Sequence, residues 1–252
     1  MQTEPQLNRQ GENFHRKLYP KISVILVTFN VASYLQKCLN SIYQQSYPSI
    51  EIIVIDGAST DGTIEILKTN TNSINKWISE RDNGIYDAMN KAISYVTGEF
   101  VYFLGADDEL LDDFSNFAFE IQSDSTIYYG NVIKNGKKYM GKVSPYQIAK
   151  TNINHQSMIY PVGVFRKYRF DLDYKISADH VLNMQCYKDS ELSYHYLDYT
   201  IAIFNHTGLS STKKDIVFEK RKAQLILKYF GCKIWTRFLF KKFKAAIFGR
   251  QP

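Results

Sequence analysis

The segment Lys21–Phe29, KISVILVTF, is apolar almost without interruption and rich in β-branched residues. A strand with one wet face alternates apolar and polar side chains, whereas a strand covered on both faces does not. The run therefore predicts an inner strand of a parallel sheet with helices on each side. Ile50–Ile55 (IEIIVI) and Glu99–Leu104 (EFVYFL) have the same character. Between the first two runs, Leu35, Cys38, Leu39, Ile42 and Tyr43 recur at helical spacing. Between the second and third, TIEILKTN predicts a short helix, and Ile85, Ala88, Met89, Ala92, Ile93 and Val96 form a longer stripe that Gly98 stops. Strand–helix alternation of this kind predicts an α/β fold with a mostly parallel, Rossmann-like central sheet, and a nucleotide-binding half over residues 21–111.

Beyond Asp113 the pattern changes. STIYYGNVI and KYMGKV flank Asn135-Gly136 and predict a β-hairpin. NHQSMIYP reads as a short strand with a polar start, KISADHVLNMQCYKD as a helix beginning near Asp179, and ELSYHYLDYTIAIF as one or two strands. Residues 112–219 thus form a smaller β-containing acceptor half. Together the halves make one domain, 21–219, preceded by a polar arm over 1–20 and followed by helices near 215–230 and 233–248.

In a parallel α/β sheet, ligands bind outside the carboxyl ends of the strands. Three polar loops fall there in succession: Thr28-Phe29-Asn30, Asp56–Thr63 (DGASTDGT), and Gly105-Ala106-Asp107-Asp108. Asp56 follows a buried strand and is placed to accept a hydrogen bond from a base or a ribose. Asp107 and Asp108 are adjacent like charges, which repel unless a cation or a turn compensates them. Mg²⁺ or Mn²⁺ takes one or two carboxylates plus phosphate oxygens, so a nucleoside diphosphate with its metal gives the pair a reason.

The stretches VTFN, VIDGASTDGT, RDNGIYDAMNKAI, GEFVYFLGADDEL, HQSMIY and ISADH follow one another in the order and spacing of family 2 glycosyltransferases. The resemblance covers about residues 21–211. It is strongest to the bacterial branch that builds exopolysaccharide, O-antigen or colanic-acid-type polymers. It implies a GT-A fold and an inverting transfer from a nucleotide-sugar donor, often a UDP-sugar, to a glycan or polyprenyl-linked glycan. By the same resemblance Thr28, Phe29, Asn30, Asp56 and Asp61 hold the nucleoside. Asn83, Gly84, Asp87, Asn90 and Lys91 lie near the diphosphate and sugar. Gly105-Ala106-Asp107-Asp108 matches the metal-binding Asp-X-Asp site with Gly105 in place of its first acid. Asp107, Asp108 and His206 are then the metal ligands, Asp179 the general base, and His155 and Gln156 the acceptor side. Read without the resemblance, Asp179 suits a helix N-cap and Asp61 a turn cap.

Charge is informative once divided. The formal net charge is +6, and from Lys220 onward there are ten Lys or Arg and no acid, so the body is mildly acidic. A nucleic-acid partner is not expected, because the basicity lies outside the folded domain. Residues 233–248 place basic side chains on one face and Ile234, Trp235, Phe238, Leu239, Phe243 and Ile247 on the other, which predicts a helix lying on an anionic membrane. The first twenty residues lack an apolar signal-peptide core. The three cysteines are far apart, as expected for a reducing compartment. The expected location is cytoplasmic, peripheral on the inner face of the cytoplasmic membrane. A dehydrogenase is disfavoured because no Gly-X-Gly-X-X-Gly follows the first strand. A nucleotidyltransferase making sugar nucleotides and a non-catalytic nucleotide-sugar-binding protein are the alternatives.

Overall fold

The computed structural model describes residues 19–205 and 214–248. The readings of an arm over 1–20 and of His206 as a ligand fall, wholly or almost wholly, outside those residues. The nucleotide-binding half runs β1 (Ile22–Thr28), α1 (Ala32–Tyr43), β2 (Ile50–Asp56), α2 (Thr63–Thr69), β3 (Lys76–Ser79), α3 (Ile85–Ile93) and β4 (Phe100–Gly105). The acceptor half follows with β5 (Glu109–Leu110), α4 (Asp113–Phe119), β6 (Thr126–Lys134), β7 (Lys137–Tyr139), α5 (Pro145–Thr151), β8 (Met158–Pro161), α6 (Gly163–Lys167), α7 (Ala178–Lys188) and β9 (Ser193–Phe204). Helix α8 (Ile216–Phe248) closes the chain, with a non-helical break at Gly231.

One sheet carries all the strands in the order β3-β2-β1-β4-β8-β6-β9-β5, with β7 paired to β6. β1 is parallel to β2 and β4, and β2 to β3, as the unbroken apolar runs require. β8 runs antiparallel to both β4 and β6 and so joins the two halves. β6 is parallel to β9, with a register irregularity around Gly130. A Cβ at Gly130 would come within 2.7 Å of the Tyr199 carbonyl, so the two backbones approach too closely there for any other residue.

The side chains alternate between two cores. Val24, Leu26, Ile52, Val54, Tyr102 and Leu104 pack with α1, α2 and α4 on one face. Ile25, Ile53, Val101 and Phe103 pack with α3 and α5–α8 on the other. In α1 the buried stripe is Leu35, Cys38, Leu39 and Ile42, while Tyr43, read as part of it, is exposed. The hairpin turn is as expected, with Asn135 and Gly136 both at positive φ, the geometry of a two-residue type I′ connection.

Two expectations change. β3, β5, α4, α5 and α6 have no counterpart in the sequence reading, because all are too short to express a period. The tail boundary at 219/220 falls inside α8, whose Phe218, Leu225 and Ile226 are buried in the main core. The amphipathic pattern also divides: Ile234, Trp235 and Phe238 pack against the domain, whereas Phe243 and Ile247 are exposed.

At the amino end of β2, Glu51 is buried and receives hydrogen bonds from Ser23 Oγ, Thr97 N at 2.7 Å, Thr97 Oγ1 at 2.6 Å and Gly98 N at 2.9 Å. Burial alone would raise its pKa; the donors from Ser23, Thr97 and Gly98 outweigh it and hold the carboxyl below the usual glutamate value. Its contribution to stability is therefore complete above the unfolded-state pKa and is lost as pH falls through the folded one. Glu51→Ala strands several buried donors and is expected to cost about 2–4 kcal/mol in urea unfolding at pH 7. The deficit should shrink as the titration is taken below about pH 4.5.

Candidate active site

The carboxyl ends of β1, β2 and β3 are tied together by one carboxylate. Asp56 is fully buried. Its Oδ1 accepts from Thr28 Oγ1 at 2.8 Å and Ser59 Oγ at 2.5 Å, and its Oδ2 accepts from Ser59 N at 2.9 Å and Ser79 Oγ at 2.7 Å. Four donors satisfy both oxygens, so Asp56 shapes the nucleoside loop from beneath, and Thr28 is buried with it. Asn30, at positive φ, continues the same loop: its N–H donates to Ser59 Oγ at 2.8 Å and its side-chain carbonyl accepts from Thr60 N at 2.9 Å. Phe29 is 64% exposed at the loop's rim, an aromatic face open to a base.

Asp61 serves the turn, as its second reading anticipated. It accepts from Ala32 N at 3.0 Å, the first residue of α1, and from Thr63 N and Oγ1 at 3.1 and 2.6 Å, the first residue of α2. One acid therefore caps two helix starts. The residues before α3 form a second rim. Asp82 accepts from Gly84 N at 2.8 Å, and Asp87 accepts from Asn83 N at 2.9 Å. Gly84 has φ +114°, open to glycine without strain. Lys91 pairs with Glu80 at 2.8 Å and donates to the Arg81 carbonyl at 3.0 Å. Asn90 faces the other way, clasping Phe170 through its N–H and carbonyl at 3.0 and 2.9 Å. These two side chains brace the rim and the acceptor half; the structure engages neither with the nucleoside loop.

The loop after β4 resolves the paired acids. Ala106 is buried, Asp107 is half-buried, and its carbonyl accepts from Asn205 Nδ2 at 2.6 Å. Asp108 is only 1% exposed. Its oxygens accept from Gln156 Nε2 at 2.9 Å and Asn205 N at 2.8 Å. Burial and then the neighbouring Asp107 push its carboxyl up to about 6. Asp108 thus departs from the ligand role expected of it: it is an internal brace with both oxygens engaged. Gly105 completes this arrangement. A Cβ there would collide with Asp108 Oδ2 and lie 3.0 Å from Asp107 Oδ1. The missing first acid is therefore replaced by space that the inward Asp108 uses.

Among the described residues no group of three or more His, Cys, Asp or Glu side chains is arranged to hold a metal. The donor set still fits Mg²⁺ or Mn²⁺ in its minimal form, with Asp107 as one carboxylate and the remaining oxygens from a diphosphate and water.

A second cluster lies at the start of α7. Asp179 stands in the first turn after the N-cap residue Ser177, so it is not the cap. Its Oδ1 accepts from Tyr86 Oη at 2.9 Å and its Oδ2 from Asn152 Nδ2 at 2.9 Å, with His155 Nδ1 3.5 Å from Oδ2. Burial would raise its pKa, but the His155 ring and the Tyr86 hydroxyl outweigh burial and hold it below the usual carboxylate range. His155 and Gln156 begin a single 3₁₀ turn, His155–Ser157, that enters β8. That turn touches Asp179 through His155 and Asp108 through Gln156. The next residue of α7, His180, is buried, lies 2.7 Å from the Ile148 carbonyl and is driven down to about 4 by burial and then Lys222.

Tyr86, Asn152, Ser59, Ser79 and Asn205 belong to these clusters and were not expected. Tyr86 sat in plain view within GIYDAMNKAI, between stripe positions. Asn152 and Asn205 reach their partners across 27 and 97 residues, a separation that no local pattern reports.

A mostly parallel sheet with polar loops at the carboxyl ends of its strands, an acidic turn after β4 and a further acid at the start of α7 is the architecture of a GT-A glycosyltransferase. The chain belongs to glycosyl transferase family 2, whose model matches residues 23–184. It is 34% identical over 214 residues to the PGL/p-HBAD biosynthesis glycosyltransferase of Mycobacterium bovis BCG, covering 80% of this chain and 84% of the relative. It is 30% identical over 201 residues to the glycosyltransferase GlyA of Streptococcus pneumoniae, covering 68% of this chain and 28% of GlyA. Among solved structures, S. aureus TarS in complex with UDP-GlcNAc superposes with a TM-score of 0.67 at 23% identity, over 87% of this chain and 71% of TarS. The mannosyltransferase PcManGT of Pyrobaculum calidifontis, in complex with GDP-Man and Mn²⁺, superposes at 0.61 with 19% identity, over 84% and 63%. The family sets aside the nucleotidyltransferase alternative.

Gly105→Asp, which writes the missing acid back in, is expected to lower Tm by roughly 3–10 °C, the scale of about 1–3 kcal/mol of overpacking. It should not tighten Mn²⁺ binding. Thermal melts with and without Mn²⁺ measure both.

Proposed function

We propose that this glycosyltransferase is metal-dependent and inverting, and that it moves a sugar from a UDP-sugar to a glycan or lipid-linked glycan in surface-polysaccharide biosynthesis. The observation that carries the catalytic part is the His155–Ser157 turn. It links the acid at the acceptor side, Asp179, to the acidic turn after β4 within two consecutive residues. Nucleotide-sugar chemistry is supported by the neighbours solved with UDP-GlcNAc and GDP-Man.

In this reading Phe29 and the loop shaped by Asp56 receive the base and ribose. Asp107 would hold Mg²⁺ or Mn²⁺ beside the donor's diphosphate, and an ion bound there would supply Lewis-acid stabilisation of the departing diphosphate. Asp179, ionised and fixed by Tyr86 and Asn152, takes the proton of the acceptor hydroxyl. The hydroxyl oxygen bonds to the anomeric carbon as the bond from that carbon to the diphosphate oxygen breaks, inverting the configuration. A carboxylate held low is a weak base, so the proton moves late, as the attacking oxygen becomes acidic. His155 steadies the carboxylate from its other side.

No described helix is long and apolar enough to cross a membrane. A cytoplasmic enzyme held at the inner membrane face by α8 is the location that fits a lipid-linked acceptor. The basic and aromatic side chains of that helix support it.

Asp179→Asn should lower kcat by about a hundredfold or more while UDP affinity, read by calorimetry, stays within a few-fold. Asp107→Ala should abolish transfer and weaken UDP binding in Mn²⁺ much more than in EDTA. Full activity of the unmutated chain in EDTA, or of Asp179→Asn, overturns the corresponding role.

A further inference from the structure

Helices α5 and α8 line a partly open cavity of about 130 Å³. Tyr146 and Lys150 line it from α5; Glu219, Lys222, Lys241 and Lys242 line it from α8. Four lysines thus stand in its wall against one carboxylate, which pairs with Lys222 at 3.7 Å; Lys150 and Lys222 are half-buried, and Lys241 and Lys242 are exposed. Arg237 adds a further cation, its guanidinium 4.2 Å from the centre of the Tyr146 ring, with Lys241 Nζ 5.0 Å from the same centre. Burial pulls Lys222 below the ordinary lysine range; Glu219 opposes this and Lys150 and Lys242 reinforce it.

The cavity's wall also carries an unused donor. Tyr146 is 7% exposed, and its buried hydroxyl has no hydrogen-bond partner among the described residues. Buried hydroxyls are almost always paired, because an unpaired one forfeits its hydration without return. Crowded cations and an orphan hydroxyl share one remedy, an anion with several acceptor oxygens. A phosphate group fits that description and the volume.

Surroundings narrow the source. Phe240, Phe243 and Ile247 on α8 are 67%, 65% and 57% exposed, and Lys233 and Lys244 beside them are exposed too. Aromatic side chains flanked by lysines are the surface that a helix presents to an anionic bilayer. Asn152, the C-cap of α5, donates to Asp179. One short helix therefore reaches from the basic cavity to the candidate base.

We infer that the cavity between α5 and α8 is a binding site for the phosphate of a membrane lipid. The lipid is either a bulk anionic headgroup or the phosphate that anchors a polyprenyl-linked acceptor. The second form rests on the transferase reading above, whereas the phosphate site does not.

The test uses the full chain and four probes: inorganic phosphate in solution, vesicles of phosphatidylcholine, the same with phosphatidylglycerol, and the same with polyprenyl phosphate. Lys150→Gln with Lys241→Gln empties the cavity of two charges. Lys233→Gln with Lys244→Gln removes the same charge outside it. Tyr146→Phe keeps the ring and removes only the hydroxyl, so it is the variant least able to perturb folding. Binding to a phosphate-bearing probe should fall at least tenfold in the cavity pair and at least threefold in Tyr146→Phe. It should fall less in the outer pair. UDP affinity should not move. Saturable binding of inorganic phosphate assigns a free-anion site, binding of phosphatidylglycerol vesicles a headgroup site, and binding of polyprenyl phosphate alone an acceptor site. Either vesicle outcome supports the inference, and binding of inorganic phosphate without either overturns it. Equal losses in the two lysine pairs, an unchanged Tyr146→Phe, or silence of all phosphate probes overturns it. A chain that binds phosphate vesicles through the cavity but never binds UDP would separate this site from the transferase reading, which alone would fall.

Discussion

A single strand with a buried carboxylate at each end organises the nucleotide half. Glu51 at the amino end of β2 gathers Ser23 of β1 and the Thr97-Gly98 turn that leads into β4. Asp56 at the carboxyl end gathers Thr28 of β1, Ser59 of the loop and Ser79 of β3. Between them lie only apolar side chains buried on both faces. A charge in such a place is tolerable only when every lone pair is met, and loses several kcal/mol when one is not. The two acids therefore allow little freedom of register, and the loop over Asp56 inherits its shape from them. Phe29 stands bare at the rim of that loop.

The same economy governs the acidic turn. Two adjacent carboxylates look like a matched pair in the sequence, but the fold gives them opposite environments. Asp108 turns inward to Gln156 and Asn205, and Asp107 remains half-open. Environments that differ this much separate the roles of two like groups. Gly105 belongs to the inward arrangement, since any side chain would strike Asp108. A departure from the family pattern at one position is in this way absorbed at another.

The fold was legible where burial is two-sided and periods are long. β1, β2, β4, α1, α3 and α7 each carry a run or stripe that the chain displays openly. The short elements between residues 109 and 167 do not, since a two-residue strand or a five-residue helix shows no period. The site was legible as positions and less so as roles. Asp56, Asp107 and Asp179 stood out by type and place, yet the reading of Asp56 as a direct contact to the base could not anticipate Ser59 and Ser79 filling its lone pairs. Asn90 and Lys91 lie in a motif but spend their polar groups on Phe170 and on Glu80 and Arg81. The tail was read as an appendage because its charge is one-sided, while its first half is core. Side-chain direction on α8 is set by what the domain offers opposite, which the helix's own pattern does not contain.

The bonds from Asn205 to Asp108 and to the Asp107 carbonyl span 97 and 98 residues. Asn205 is made after every strand of the sheet. Until β9 docks beside β6 and β5, Asp108 lacks that donor, and closing so long a loop carries an entropic cost that earlier contacts must already have met. The nucleotide half, whose strands are near neighbours in sequence, has no such delay. During synthesis the strands β1 to β4 can therefore be in place while Asp108 still lacks its partner, and the acidic turn settles only when β9 arrives.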